Sequence, residues 1–307
     1  MKIFRTFDEA RGLRNPVVTT GSFDGVHIGH KTILNRLRML ADKHNGESVL
    51  ITFHPHPRKV LYPETAGRDL RLINSQEEKI MLLEKAGLDN VIIIEFTRDF
   101  SKTTSEEFVS NYLSGILKSR IVVVGFNHHF GFNKEGDYRQ LWSMQEKYGF
   151  VAEEIPEQEV EHETVSSSRI RKAISEGYIQ RANAYLDHYY LVMGVPQRSD
   201  PPPAGSSLTF YTIPITDENK LLPSDGIYAV SSATGSNSEK GMVVINTMIN
   251  SNPQVFLHII DGKTDISARS TALLFRKKVS GPVNLTDPSS ALHRFNSAMA
   301  EISDLIY

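Results

Sequence analysis

The stretch TTGSFDGVHIGH, Thr19–His30, follows the apolar pair Val17-Val18 and decides how the rest of the chain is read. Two histidines three residues apart stand behind two glycines and a phenylalanine, where an apolar strand gives out. Packing alone would make this a tight turn with surface imidazoles. Chemistry would make it a phosphate site, because the free N–H groups and the dipole at a helix start favour an anion. Gly21, Gly25 and Gly29 would let the backbone approach a nucleotide closely.

Outward from that turn, apolar residues at Ile33, Leu34, Leu37, Leu40 and Ala41 form a helical stripe. On either side lie continuous β-branched runs at 16–20, 48–53, 90–96 and 120–126, the mark of strands buried on both faces of a parallel sheet. Ser75 with Glu78 and Thr104 with Glu107 read as capping boxes. The first opens a helix that ends near Gly87, and the second precedes Phe108, Tyr112, Leu113 and Ile116. Strand–helix alternation of this kind predicts an open, doubly wound α/β domain over 1–186. From 187 to 307 the pattern changes to short strands (YLVMGV, SLTFYTIPI, GIYAVSS, GMVVINTM, QVFLHIID, ALLFRKKV) and a helix over about 289–306. This predicts a small antiparallel β-barrel with a C-terminal helix, with DPPPAGSS (200–207) as a loop.

The 307 residues suffice for two domains, and 23% charged residues with a net charge of −2 give no global electrostatic case for nucleic acid or an anionic membrane. Without cysteine the chain has no disulfide, thiolate metal site or cysteine nucleophile. No apolar leader or membrane-length run is present, so a cytoplasmic enzyme or binding protein acting on small molecules is expected.

Six of the eleven histidines come in tight pairs: His27/His30, His54/His56 and His128/His129. Each pair follows the end of a predicted parallel strand, where open α/β sheets bind their ligands. Zinc would suit clustered histidines, but there is no HExxH and no compact carboxylate set to complete a site. A phosphate site would use imidazoles as donors to charge that builds in a transition state. A second anion site is suggested by SSSRIRKAI (166–174), with arginines in a first helical turn where the dipole disfavours them. Read blandly, that segment is an N-cap with solvated arginines. Together the two sites read as the two ends of a triphosphate.

On these residues the chain resembles a known family. G-x-F-D-x-x-H-x-G-H at Gly21–His30 and S-S-S-R-I-R at Ser166–Arg171 are similar to the nucleotidyltransferase signatures of bacterial FAD synthetase, the bifunctional riboflavin kinase/FMN adenylyltransferase. TFHPHPRKVL (52–61), VVVGFNHHFGFNKEGD (122–137) and KLLPSDGIYAV (220–230) extend the likeness. The resemblance implies a Rossmann-like nucleotidyltransferase domain followed by a riboflavin-kinase-like barrel. ATP and FMN would be substrates, FAD the product and Mg²⁺ the metal, with no metal-ligating side chain assigned. It further implies catalytic roles for His27, His30, Asn127 and Arg169, and ATP contacts from Gly21, Phe23, Asp24, Gly29, Ser166, Ser167, Ser168 and Arg171. Phe53, Pro55, Pro57 and Phe130 would wall the flavin. His128 and His129 stand where the family often has an aromatic and a basic residue.

The second domain departs from the family. Its riboflavin kinases carry Gly-Arg-x-x-Gly-x-Pro-Thr-x-Asn after the first strand, whereas 194–216 reads GVPQRSDPPPAGSSLTFYTIPIT. Their base is a glutamate in a Glu-x-His context, where this chain has Phe256 before Leu257-His258. Phenylalanine can neither take a proton nor bind Mg²⁺. The expectation is an FMN adenylyltransferase whose barrel has lost its kinase chemistry. A fully bifunctional enzyme using Asp225, Asp261 or Asp265, and a non-catalytic flavin or nucleotide binder, are the alternatives.

Overall fold

The computed structural model describes residues 1–126, 128–156, 159–160, 163–234, 237–247, 253–260, 262, 265–267 and 269–305. By packing, the chain divides into two units, Met1–Leu70 with Lys79–Val165, and Arg71–Glu78 with Ser166–Tyr307.

In the first unit six strands form an all-parallel sheet: β1 (Lys2–Phe4), β2 (Val17–Thr20), β3 (Ser48–His54), β4 (Asn90–Glu95), β5 (Ile121–Gly125) and β6 (Val151–Ile155). Their order is β1-β4-β3-β2-β5-β6, so the connection reverses direction between β2 and β5. That reversal opens a crevice beyond the carboxyl ends of these two strands. The helices of this part of the chain are α1 (Ile28–Lys43), α2 (Pro57–Leu61), α3 (Gln76–Lys85), α4 (Ser105–Glu107) and α5 (Tyr138–Tyr148). A π-helical run, Phe108–Ile116, continues α4. The stripe predicted for α1 is present, with Leu34, Leu37, Leu40 and Ala41 buried. The four predicted strands are present, and two more were missed. β1 is only three residues long and mostly exposed, while edge strand β6 carries Glu153, half-buried against Arg36, and exposed Glu154. Neither carries the continuous apolar run of a doubly covered strand. A two-residue hairpin, β7 (Glu159–Val160) with β8 (Glu163–Thr164), follows.

The second unit contains α6 (Ser167–Ser175), α7 (Ile179–Leu186), seven strands and α8 (Pro288–Asp304). The strands are β9 (Leu191–Gly194), β10 (Gln197–Arg198), β11 (Tyr211–Thr212), β12 (Gly226–Thr234), β13 (Asn237–Asn246), β14 (Gln254–Ile259) and β15 (Thr271–Ser280). They pair antiparallel in the order β10-β11-β14-β13-β12-β15-β9. The sheet curls, since a Cβ on Gly194 of edge strand β9 would lie 2.6 Å from Ile213 Cγ2, just beyond β11 near the other edge. Inside the curl Phe210, Ile227, Met242, Val244 and Phe256 pack with Phe295 and Ile302 of α8. Of the predicted strand 207–215 only Tyr211–Thr212 joins the ladder. Pro214 has no N–H to continue it, and the last bond runs from Ile213 N–H to Val255 O at 2.8 Å.

The segment Arg71–Glu78 belongs to the second unit through a buried network. Leu72 pairs with 219–221 through two backbone bonds, Leu72 N–H to Asn219 O (2.6 Å) and Leu221 N–H to Leu72 O (2.8 Å). The Lys220 ammonium donates to Ile73 O (2.6 Å), Leu191 O (2.8 Å) and Glu78 Oε2 (2.6 Å). Glu78 also accepts from Ser75 N–H and Met193 N–H, each at 2.9 Å. Both side chains of the ion pair are at most 2% exposed. No described helix is long and apolar enough to cross a membrane.

Candidate active site

β2 ends where Gly21 N–H reaches Ile51 O at 3.0 Å, and the chain then turns sharply into α1. The turn is strained. Phe23 (φ 48°), Gly25 (φ 93°) and Val26 (φ 42°) all lie in the left-handed region, and Val26 is β-branched. Glycine accepts that conformation freely, whereas each non-glycine residue held there costs on the order of 1–3 kcal/mol. Burial of Phe23, Asp24, Val26 and His27 holds the turn in place. His27 is the N-cap of α1 without a side-chain capping bond, and no acidic residue lies in the first turn. The first N–H groups of the helix therefore have no intrahelical acceptors.

The two signature histidines are brought into ring contact. His30 lies between Phe23, at 4.3 Å between centroids and 20° between planes, and His27, at 3.7 Å and 17°. Two protonated imidazoles stacked this closely would repel each other. Burial, then the neighbouring His27, then Lys79 hold His30 well below the ordinary histidine range. Its Nδ1 is buried without a hydrogen-bond partner.

Lys79 was not anticipated from the sequence. Its ammonium is buried beneath the turn and donates to Ser22 O (3.3 Å) and Thr52 Oγ1 (3.2 Å). Thr52 Oγ1 in turn donates to Ser22 O at 3.2 Å. Desolvation lowers the lysine to about 8, opposed by the carboxylate of Asp24. Only an unexplained cation among the apolar positions of α3 could have signalled it.

The three histidine pairs follow β3, β2 and β5, which are neighbours in the sheet. The pairs therefore stand on one sheet edge. Their local roles differ. His56 is the N-cap of α2, its Nδ1 accepting from Arg58 N–H at 3.2 Å, and His54 is exposed. His128 stacks on Phe130 at 6.1 Å with Nε2 unpartnered, and burial lowers it to about 4, helped by His129. Asn127 lies outside the described residues. Among the described residues no three His, Asp or Glu converge to hold a metal ion.

Phe53 and Phe130 lie on one aromatic chain. Phe53 meets Phe96 (5.5 Å) and Phe100 (6.0 Å). Contacts then pass through Tyr112 and Phe108 to Phe130, with steps of about 6 Å. Phe96, Phe100 and Tyr112 were not foreseen as part of this wall. Pro57 is half-buried at the start of α2, and Pro55 is exposed. Phe130 forms a two-bond bridge with Gly136, where a Cβ would lie 2.8 Å from the Phe130 ring.

In the second unit Ser166 caps α6, its hydroxyl accepting from Arg169 N–H at 3.4 Å. Ser168 and Arg169 are exposed, Ser167 and Arg171 half-buried, and Ile170, Ala173 and Ile174 anchor the helix. The bland capping role thus exists alongside an exposed Arg169 in the first turn.

A family model for FAD synthetase matches residues 10–169, and one for riboflavin kinase matches 188–289. The chain belongs to the FAD synthetase family. A bifunctional riboflavin kinase/FMN adenylyltransferase from Listeria monocytogenes is 31% identical to this family member, over 75% of its length and 72% of the relative's. The Escherichia coli K12 protein of the same description is 28% identical, over 86% and 84%. A second Listeria monocytogenes protein, described as FAD synthetase, is 33% identical over 66% and 79%. This chain is accordingly an enzyme of the FMN adenylyltransferase type. A solved structure described as a macrolide-efflux protein from Streptococcus pneumoniae covers the whole of both chains with a TM-score of 0.86 at 20% identity, a likeness of fold alone.

Proposed function

We propose that the chain transfers AMP from ATP to FMN, giving FAD and pyrophosphate, with residues 1–186 as the adenylyltransferase domain and 187–307 as a kinase-like barrel. A phosphate oxygen of FMN attacks the α-phosphorus of ATP in line, the bond to the β-phosphate oxygen breaks, and pyrophosphate leaves. The observation that carries this reading is the Phe23–His30–His27 stack at the start of α1, on the sheet edge where the strand order reverses. Such a reaction needs positioning and charge stabilisation and no covalent intermediate.

In this reading His27 and His30 donate to the phosphoryl oxygens as charge builds, Gly21, Phe23, Asp24 and Gly29 shape the turn around ATP, and Asn127 contacts substrate. Ser166, Ser167, Ser168, Arg169 and Arg171 hold the outer phosphates. Phe53, Pro55, Pro57 and Phe130 face the flavin. Mg²⁺ in nucleotide sites is commonly held by one or two carboxylates together with the phosphates. Among the described residues no three acidic or histidine side chains converge, which fits a metal carried in on the triphosphate. When bound it neutralises charge on the leaving pyrophosphate. We place the enzyme in the cytoplasm.

The same reading takes the barrel as inactive toward riboflavin. Phe256, at the place of the family's base, is buried in the apolar core. The 200–207 loop folds as a proline-rich turn with Pro203 and Ser206 buried, and Ala204 packs on that core. Both Asp225 carboxylate oxygens are already occupied by Thr247 N–H and its hydroxyl. The test is product analysis with FMN and Mg-ATP. FAD and pyrophosphate are expected, and folded protein that forms neither overturns the reading.

A further inference from the structure

We propose that Lys79 is a positioning residue of the nucleotidyl-transfer site: a buried ammonium that clamps the turn between β2 and α1 to β3 and sets a positive charge beneath the histidine stack. The inference rests on the adenylyl-transfer reading.

A lysine is rarely fully buried unless its cost is offset. Lys79 is 8% exposed, and its ammonium donates to a backbone carbonyl and a neutral hydroxyl. Those two bonds tie Ser22, which directly precedes the strained Phe23, to Thr52 at the end of β3. Stability alone would also be served by apolar side chains in place of Lys79 and Asp24 together, as replacements of whole buried ion pairs show. The groups acting with it are Asp24 from the turn and His30 at the start of α1. Its own neighbour Glu78 is committed to Lys220. Lys79 thus meets one carboxylate across the turn and an imidazole whose protonation it opposes.

Two consequences follow for catalysis. The charge favours the neutral, donating form of His30. It also leaves the site short of negative charge until a triphosphate arrives, which is the arrangement that stabilises a phosphoryl transition state without reorganisation. Desolvation lowers the lysine to about 8, so near that pH the free enzyme carries it partly deprotonated. The incoming polyanion then draws a proton onto it.

The full-length wild type is compared with Lys79→Met and Lys79→Arg. FAD formation is followed from pH 6 to 9, and Mg-ATP binding is measured by calorimetry in two buffers of different ionisation heat. Lys79→Met is expected to lower kcat on the order of 10²-fold while KM for ATP changes less than about threefold. Lys79→Arg is expected to keep at least roughly a tenth of wild-type kcat, since its charge is retained. Wild type alone takes up a fraction of a proton on binding near pH 8. A kcat for Lys79→Met within about threefold of wild type, an equal loss in Lys79→Arg, or no uptake by wild type overturns the proposal. Where Lys79→Met does not fold, Lys79→Gln is measured in its place against the same limits on kcat and KM. Wild type that forms no FAD defeats the reaction assigned above, while proton uptake on ATP binding still reports on Lys79.

Discussion

His30 shows what stacking does to a titratable group. Protonating it would set a cation against His27 in a desolvated layer above Lys79, so the ring stays neutral through the physiological range. The acid limb of kcat/KM is therefore expected below the ordinary histidine range, and a limb near 6.5 in the wild-type pH profile would contradict this. As a donor to charge that develops during transfer, His30 acts on kcat. Truncation to Ala is expected to cost about 2.7–4 kcal/mol in kcat, with a smaller change in KM for ATP, measured by steady-state kinetics. His128 gives a stability prediction. Its folded value of about 4 lies below the unfolded one, so the unfolded chain binds the extra proton between pH 6.5 and 4, and stability falls as pH falls through that window. The loss is at most about 3 kcal/mol. His128→Phe, which keeps the stack on Phe130, is expected to flatten acid denaturation there, as denaturant midpoints at pH 7 and 5 would register. The signature histidines were legible because their spacing is local. Lys79 was not, because its role arises from burial against β3.

At the scale of elements, local grammar was read well and long-range partners were not. Both capping boxes predicted from Ser75/Glu78 and Thr104/Glu107 form, since each needs only four residues. The apolar strands β2, β3, β4 and β5 were legible from their runs, whereas edge strands β1 and β6 lack that signal. Glu78 shows the limit most clearly. Its capping role is written in the sequence, while its ion pair with Lys220 depends on tertiary folding. The two boxes should consequently differ in cost. Thr104→Ala removes an exposed cap and is expected to lose about 1 kcal/mol. Lys220→Met strands a buried carboxylate and is expected to lose about 3–5 kcal/mol. Urea denaturation of the two variants provides the comparison, and equal losses would show that the buried pair is no more than a cap.

For the whole molecule, two kinds of sheet were legible because continuous apolar runs and short turn-bounded strands are different patterns. That Arg71–Glu78 packs with the later part of the chain was not. The whole enzyme is expected to give no FMN from riboflavin and Mg-ATP under conditions where it converts FMN to FAD. Chromatographic detection of FMN at a comparable rate would return the barrel to kinase duty, with exposed Asp265, which accepts from Ser267 N–H at 2.9 Å, as the described carboxylate to test, Asp261 lying outside the described residues. The discontinuity has a consequence for biosynthesis. As the chain leaves the ribosome, Leu72 and Glu78 emerge long before Met193, Asn219, Lys220 and Leu221, the groups that satisfy them. Residues 71–78 must then wait, with a carboxylate and backbone groups in water, until more than a hundred further residues have been added. Translation of the later part of the chain is thus a condition for burying Glu78 in its ion pair, and a gene cut after codon 186 would encode a fragment whose Glu78 never meets its lysine.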